Sequence, residues 1–488
     1  MAVLSYKIIS KKKMMKTKMI LCLLAMLPFL NGYSQNNMSK LTLKNCLDIA
    51  LANNIPLKQS ILQEDAAKIN FNQARFNRLP DITAGAGYGI NSGRSIDPFT
   101  NSYNNQKLSS SSANLSASIP VFRGFQIKNA IQQASFAYQA STMELKQEKD
   151  NLSLNIILSF LQVMNDEDVF KLTKEQMGVT EKQVDRLGVL NAEGAIAPSV
   201  LFDMKGQFAS DKLSVINATR SLEISKLNLV QFMNIPYNKD IQIDRDGLDL
   251  TIAMYESTSE NIFDTALQNL AMIKAADLRK KAAAKAIKIA ASDFYPSLSV
   301  SGQLGTNYSS AARTLTATGN KDVATSDYVI VSGNNLPVIT KQTNYNSHKI
   351  DFFNQYKNNL GTYIGLNLSI PIFASFRTKS NIKLARIEEK RNSYIADNTR
   401  IQLRQAIEQA YINMLAAYNK YQATQEQVEA YKESFRAAEI RFNLGALNSV
   451  EYLIVKNNLD RSGINLTIAQ YEYLLRTKVL DFYQGKLK

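Results

Sequence analysis

The chain writes one phrase twice. SIPVFRGF stands at 118–125 and SIPIFASF at 369–376, 251 positions apart. Each copy follows a run of alternating apolar and polar residues and precedes a long helical run. A second pair of segments, 50–80 and 266–296, aligns at an offset of 216 and ends in Pro80 and Pro296. The larger offset also relates Gly194 in NAEGAIAPSVL to Gly445 in FNLGALNSVEY. The offsets differ by 35 residues, and so do the lengths of the intervening segments 90–112 and 306–363. Internal repeats of this kind fix an architecture before any local signal does. They predict two halves, about 41–250 and 260–485, each reading helix, strand, loop, strand, helices. The second half carries the longer loop.

The strand segments alternate with a period of two. In 82–90, Ile82, Ala84, Ala86, Tyr88 and Ile90 share one face, and Thr83, Gly85, Gly87 and Gly89 share the other. The segments 113–119, 298–304 and 364–370 repeat this division into an oily face and a small polar face. Such strands suit a half-buried sheet. Tilted strands of about ten residues also cross a bilayer as part of a barrel whose other face is wet. A soluble antiparallel sandwich accounts for the alternation equally well. The barrel strands are placed near 80–120 and 296–371.

The rest is helical. Leu403, Ile407, Ala410, Met414 and Ala417 step at heptad spacing, which packs helix against helix. Helical pattern runs over about 376–416 and 425–483, and a 40-residue rod would be roughly 60 Å long. The pattern loosens at 186–199 and 441–449, where Gly194 and Gly445 mark helix breaks. Pro120 and Pro371 donate no N–H, so each is expected to end a strand ladder where a helix begins. The repeated phrase is thus a strand-to-helix joint, with Phe122 and Phe373 two residues past each proline.

Charge and targeting narrow the setting. Lys7, Lys11, Lys12, Lys13, Lys16 and Lys18 precede an apolar stretch, 19–30, and small residues follow. This is the pattern of a signal peptide over 1–34, too short in its apolar part to span a membrane. The formal charge is +15, and removing the six leader lysines leaves +9 over 35–488. Cys22 falls inside the apolar stretch, which leaves Cys46 alone and no intrachain disulfide. No run of about 18 apolar residues follows the leader, so any membrane crossing must use strands. The modest basic charge has no arginine cluster or zinc-finger spacing, which argues for contact with anionic lipid rather than nucleic acid.

No catalytic constellation emerges. GAGYGI at 85–90 misplaces its third glycine for a dinucleotide turn and no helix follows it. His348 is the sole histidine and, with Cys46, cannot build a zinc site. There is no nucleophile elbow and no phosphate loop. The chain reads as a non-enzyme with no cofactor and no metal. It lacks tryptophan, so interfacial belts would use Tyr88, Tyr103, Tyr308, Tyr363, Phe122 and Phe373, the last two at the rim where the helices begin.

The doubled Ser-Ile-Pro-hydrophobic-Phe joint, RFNLGALNSVEYL at 441–453 and LTLKNCLDIALANN at 41–54 together resemble the TolC-like outer-membrane efflux proteins. The likeness covers about 40–485. It departs at the joints, where Arg123-Gly124 and Ala374-Ser375 stand in place of the family's paired glycines, and no acylated cysteine follows the leader. The resemblance implies an α+β membrane protein: a trimeric 12-stranded β-barrel, four strands per protomer, continued by an α-helical coiled-coil periplasmic tunnel. It implies partners too, namely a homotrimer, a periplasmic adaptor and an inner-membrane RND or ABC transporter. The function implied is an outer-membrane exit duct of a tripartite efflux or type I secretion system. The tunnel's constriction is expected where the helices reverse, near 165–169 and 416–420. There Asp166, Glu167 and Asp168 would form a ring of carboxylates, or equally a solvated, N-capping turn. Glu426, Glu429 and Glu433 are further acids beside the second turn. The alternative readings are a periplasmic coiled-coil adaptor or structural protein, and a secreted enzyme.

Overall fold

A computed structural model describes residues 40–96, 101–104, 107–246 and 251–486; the leader assigned to 1–34 lies outside them. The first half runs β1 (Lys40–Thr42), α1 (Leu43–Asn53), α2 (Ile55–Phe76), β2 (Asp81–Asn91), β3 (Ser95–Ile96), β4 (Tyr103–Asn104), β5 (Leu108–Arg123), α3 (Gln126–Ala192), α4 (Pro198–Met233) and β6 (Gln242–Asp244). The second runs α5 (Ser259–Asn269), α6 (Ala271–Ala291), β7 (Ser297–Ser309), β8 (Arg313–Val331), β9 (Asn334–Lys349), α7 (Phe352–Asn358), β10 (Gly361–Ser369), α8 (Arg377–Asn443) and α9 (Ser449–Gln484). The duplication is metric: α3 and α8 have 67 residues each, and α4 and α9 have 36 each.

The chain divides into two compact units. One takes the residues up to Lys58, Lys149–Phe263 and Ile407–Lys488; the other takes Gln59–Glu148 and Asp264–Ala406. Among the described residues no helix is long and apolar enough to cross a membrane.

In the first unit, β1 and β6 pair in parallel and α1 packs on α4. The Thr42 hydroxyl caps α1 by accepting from the Asn45 N–H. Cys46 and Ala50 turn the buried face of α1 inward, and both are fully buried. Burial pushes the Cys46 thiol up to about 12.

Two long helices replace the shorter rods anticipated. At ~1.5 Å per residue, a 67-residue helix spans ~100 Å. No reversal occurs at 165–169 or 416–420, both of which lie inside unbroken helices. Asn and Asp in NDEDV are weak helix formers, but tertiary packing overrides such preferences. Phe160, Val163 and Met164 are fully buried and carry the apolar stripe of α3 up to that point. In α8, Leu403, Ile407, Met414 and Ala417 are buried in the same way, so the heptad set continues where a turn was expected.

The second unit holds an antiparallel four-stranded sheet in the order β10-β7-β5-β2. The segment 306–363, read as a long loop, is instead mostly a two-stranded ribbon of β8 and β9. It closes through Ser332 and Gly333, both at positive φ (52° and 86°), the mirror-image turn that matches strand twist. Helix α7 is pinned to β7 by Gln355. That buried amide accepts from the Ser309 N–H and donates to the Ser309 and Ile350 carbonyls.

Candidate channel sheet, joints and helix reversals

Register carries the alternation of single strands across the whole sheet. On one face Ile82 stands beside Ala117, Gly302 and Ile364, and the next row sets Ala84 beside Leu115, Leu304 and Thr362. On the other face Thr83 stands beside Ser116, Gln303 and Tyr363, and Gly85 beside Asn114, Gly305 and Gly361. One face is therefore mainly apolar, interrupted by Thr362, Thr306 and Ser111, and the other is mainly small and polar, with Asp81 and Arg123 its charges at the joint end. The glycines of GAGYGI belong to the polar face and leave room for cross-strand partners. A methyl group at Gly85 would meet the Asn114 side chain at 2.9 Å. Every residue of β2 is exposed, and β2 and β10 are both open edges in the single chain.

The prolines of the repeated phrase behave differently. Strand β5 runs on past Pro120 to Arg123, whereas β10 stops at Ser369, two residues before Pro371. Past Ser118, β5 has only β7 as a partner, and a bulge between Pro120 and Phe122 lets that ladder continue around the missing N–H. The joints nonetheless match in geometry. Phe122 meets Phe125 edge to face at 5.3 Å, and Phe373 meets Phe376 edge to face at 5.6 Å. Gly124 and Phe125 have positive φ, as do Ser375 and Phe376. Glycine is required at 124 for a second reason: an added Cβ would sit 2.5 Å from the Ser292 carbonyl oxygen. A cleft of about 990 Å³ opens at the first joint, with Asp81, Ser118, Arg123 and Gln126 in its wall.

Gly194 and Gly445 stand where the long helices end and the chain turns back. Both have φ +72°. At the first, Gly194 donates to the Asn191 carbonyl and Ala195 to that of Leu190; at the second, Gly445 donates to Phe442 and Ala446 to Arg441. This is the Schellman stop, in which a left-handed residue satisfies the last carbonyls of a helix. Pro198 then opens α4 in its first turn, and Asn448 opens α9 by accepting from the Glu451 N–H. Leu187, Leu201, Met204 and Tyr452 form a buried cluster there, with Ile196 and Leu447 of the two turns packed against it. The Phe442 ring stacks on Tyr452 at 4.4 Å.

Further from the turns in the same unit, a polar hub ties α3, α4 and α9. The Lys456 ammonium, 3% exposed, meets Asp211 at 3.3 Å and Asp460 at 2.5 Å. Asp211 also accepts from the Thr180 hydroxyl (2.5 Å) and the Gln207 amide (2.7 Å). Burial raises the Asp460 carboxyl above its ordinary value, against the pull of Lys456. Nothing in the sequence spacing pointed to this hub, since its members lie up to 280 residues apart.

The three acids lie mid-helix in α3. Arg245 reaches Glu167 and Asp168 at 2.8 Å each, and Tyr471 donates to Asp168 at 2.6 Å. Burial lowers the Arg245 pKa, but the hydrogen bonds it donates to Asp168 and Glu167 outweigh this and hold it charged. Burial and Asp168 both raise the Tyr471 hydroxyl. Asp166 accepts only from the Gln162 and Asn165 amides, both at 3.0 Å. Glu433 pairs with Arg436 within α8, and Glu426 and Glu429 lie on exposed positions of that helix. His348 stands on β9 opposite Thr314. Among the described residues no group of three His, Cys, Asp or Glu side chains is arranged to hold a metal ion.

Comparison with known proteins gives this geometry a family. The model of the family described as "Outer membrane efflux protein" matches residues 46–234 and 262–485. The outer membrane protein TolC of Salmonella enteritidis is 21% identical over 470 residues, covering 95% of this chain and 86% of that protein. Among solved structures, CusC has a TM-score of 0.72 at 16% identity, covering 91% of each chain. The CmeC outer membrane channel of Campylobacter jejuni has a TM-score of 0.70 at 16% identity, covering 91% of this chain and 85% of that one. The chain belongs to the outer membrane efflux protein family, the exit channels of efflux systems, and its place is the outer membrane with the long helices on the periplasmic side.

Proposed function

We propose that three copies of this chain close a 12-stranded barrel and form a passive exit duct for a tripartite efflux or type I secretion system. The observation that carries this reading is the sheet. It has one mainly apolar face, one mainly small and polar face charged only toward the joints, and two edges left unpaired among the described residues. Open edges demand partners, and a barrel in lipid must have none left over. Pairing β2 of one copy with β10 of the next satisfies both edges. It also sets the apolar face toward lipid and the Ser, Thr, Asn, Gln and Gly face toward water.

A polar wall whose fixed charges, Asp81 and Arg123, stand only at the joint end suits conduction by diffusion. Restriction then belongs to the helical part, with the two Schellman turns as its periplasmic tip. A periplasmic adaptor and an inner-membrane transporter of the RND or ABC class would engage that end. Of the three acids, Asp166 is the one without a cationic partner among the described residues, and it is the one we assign to the water path.

The test is the native mass of the protein extracted in detergent from separated membranes. A trimer from the outer membrane, giving discrete conductance in planar bilayers, is the expected result. A monomer or dimer in the soluble periplasmic fraction would overturn the duct.

A further inference from the structure

We propose that the helix segments adjoining the sheet carry a basic girdle that binds the anionic headgroups of phospholipids on the periplasmic side of the outer membrane. This rests on the reading that the sheet spans that membrane.

The observation is a charge boundary repeated on four helices of one unit. In α2 and its exit, Lys68, Arg75 and Arg78 lie with no acid between Asp65 and Asp81, which opens β2. At the start of α3, residues 123–137 contain Arg123 and Lys128 and no acid, and the first acid is Glu144. In α6, Lys281, Lys285 and Lys288 lie with no acid between Asp277 and Asp293, the latter just past the helix. In α8, residues 377–387 contain Arg377, Lys379, Lys383 and Arg386, and the first acid is Glu388. Acids and ion pairs thus resume on each helix once it has left the sheet. Arg279 pairs with Glu144, Arg400 with Asp277, and Arg391 with Glu388.

The twelve cations differ from those. None makes an ion pair with a carboxylate among the described residues, and all are exposed except Lys285, which is half-buried. Lys281, Lys285 and Lys288 are spaced to share one stripe of α6, as are Lys379, Lys383 and Arg386 on α8. Lys128 and Lys379 are equivalent under the duplication that relates Pro120 to Pro371.

What lies beside them identifies the partner. Phe76, Phe125, Phe294, Tyr295, Phe373 and Phe376 are exposed at the same end of the sheet. On α6 and α8 the order is apolar strand, aromatic rings, then Lys and Arg without an ion pair, as a bilayer changes from hydrocarbon to headgroup, while Arg78 and Arg123 stand among the rings. Cations near an anionic surface attract it over about a Debye length, ~8–10 Å. A basic water path inside the duct would need no aromatic ring beside it.

The experiment exchanges the purified full-length protein into nanodiscs of phosphatidylcholine containing a minority of phosphatidylglycerol, and native mass spectrometry counts retained lipids. We expect phosphatidylglycerol to be retained over phosphatidylcholine by about tenfold or more at low salt, with the preference falling as salt rises. The combined Lys128→Gln, Arg377→Gln, Lys379→Gln and Lys383→Gln variant should lose most of that preference while keeping trimer mass and conductance. The same four sites with Arg377 kept and the lysines changed to Arg should retain it. Equal retention of the two lipids by the unaltered protein, or an unchanged preference in the Gln variant, would overturn the girdle. A Gln variant whose reversal potential moves toward cations while its lipid preference stays would place these groups on the water path, and the girdle would fall. Failure of the unaltered protein to enter bilayers, seen as absent conductance, would remove the duct and the girdle together.

Discussion

In the sheet of β2, β5, β7 and β10, large apolar side chains stand open: Ile364 and Leu366 are 78% and 73% exposed. At the helix reversals, Tyr452, Met204 and Leu187 are buried, and the last carbonyls of both long helices are satisfied within the chain. The two regions carry comparable apolar content, yet only one completes its own packing. The reversal region resembles the core of a soluble protein, its helix-end carbonyls paired, though the buried Tyr452 hydroxyl has no partner among the described residues. The sheet resembles a fragment cut from a larger object, with its edges and one face left for other copies and lipid. Substitutions should therefore act on different quantities: chain stability at the reversals, assembly and insertion at the sheet.

The largest effect should come from the hub. Lys456→Met leaves Asp211 and Asp460 facing each other without a cation, at a cost of about 3–5 kcal/mol, measured as a fall in the thermal midpoint. That loss should shrink as pH falls, because protonation removes the repulsion. Next is the apolar face, where Leu366→Lys puts a charge toward lipid at about 2–4 kcal/mol. It should abolish trimer recovery from the outer membrane, while Ser301→Lys on the polar face leaves recovery intact. Equal damage from both would break the two-face account.

Smaller is the pair of turns. Gly194→Ala and Gly445→Ala each force a Cβ into left-handed backbone, for about 1–2 kcal/mol, and calorimetry should find the two losses equal within error. The smallest concerns Asp460 alone. Its folded pKa is raised, so ionising it costs more in the folded than in the unfolded protein. Stability should then decline as pH rises from the unfolded carboxyl range through the folded value. Asp460→Asn, which leaves Lys456 with Asp211, should flatten that decline.

Much of this was legible in the residues. Alternation placed the four sheet strands because each is two-faced, and the doubled phrase placed the joints. The β8–β9 ribbon was missed because it offers no clean apolar face, although the Ser332 and Gly333 pair after Val329, Ile330 and Val331 is a hairpin signal. The acids at 166–168 were placed in a turn because the helices were expected to reverse near 165–169 and 416–420. What keeps them helical is packing at Met164 and an arginine 77 positions away, and no local pattern encodes either. Gly194 and Gly445 were visible as breaks. That they are reversals depends on carbonyl pairing, which spacing alone does not reveal.

Cys46, the one cysteine among the described residues, has a consequence for experiments on the assembled protein. Its thiol is sealed against α4 and held protonated at neutral pH, so thiol reagents should pass over it while α1 stays docked. A single cysteine placed on the β8–β9 ribbon or at a helix turn would then accept a spectroscopic probe without removal of the native residue. Slow modification of Cys46 itself would serve as a clock for how often the first unit comes open.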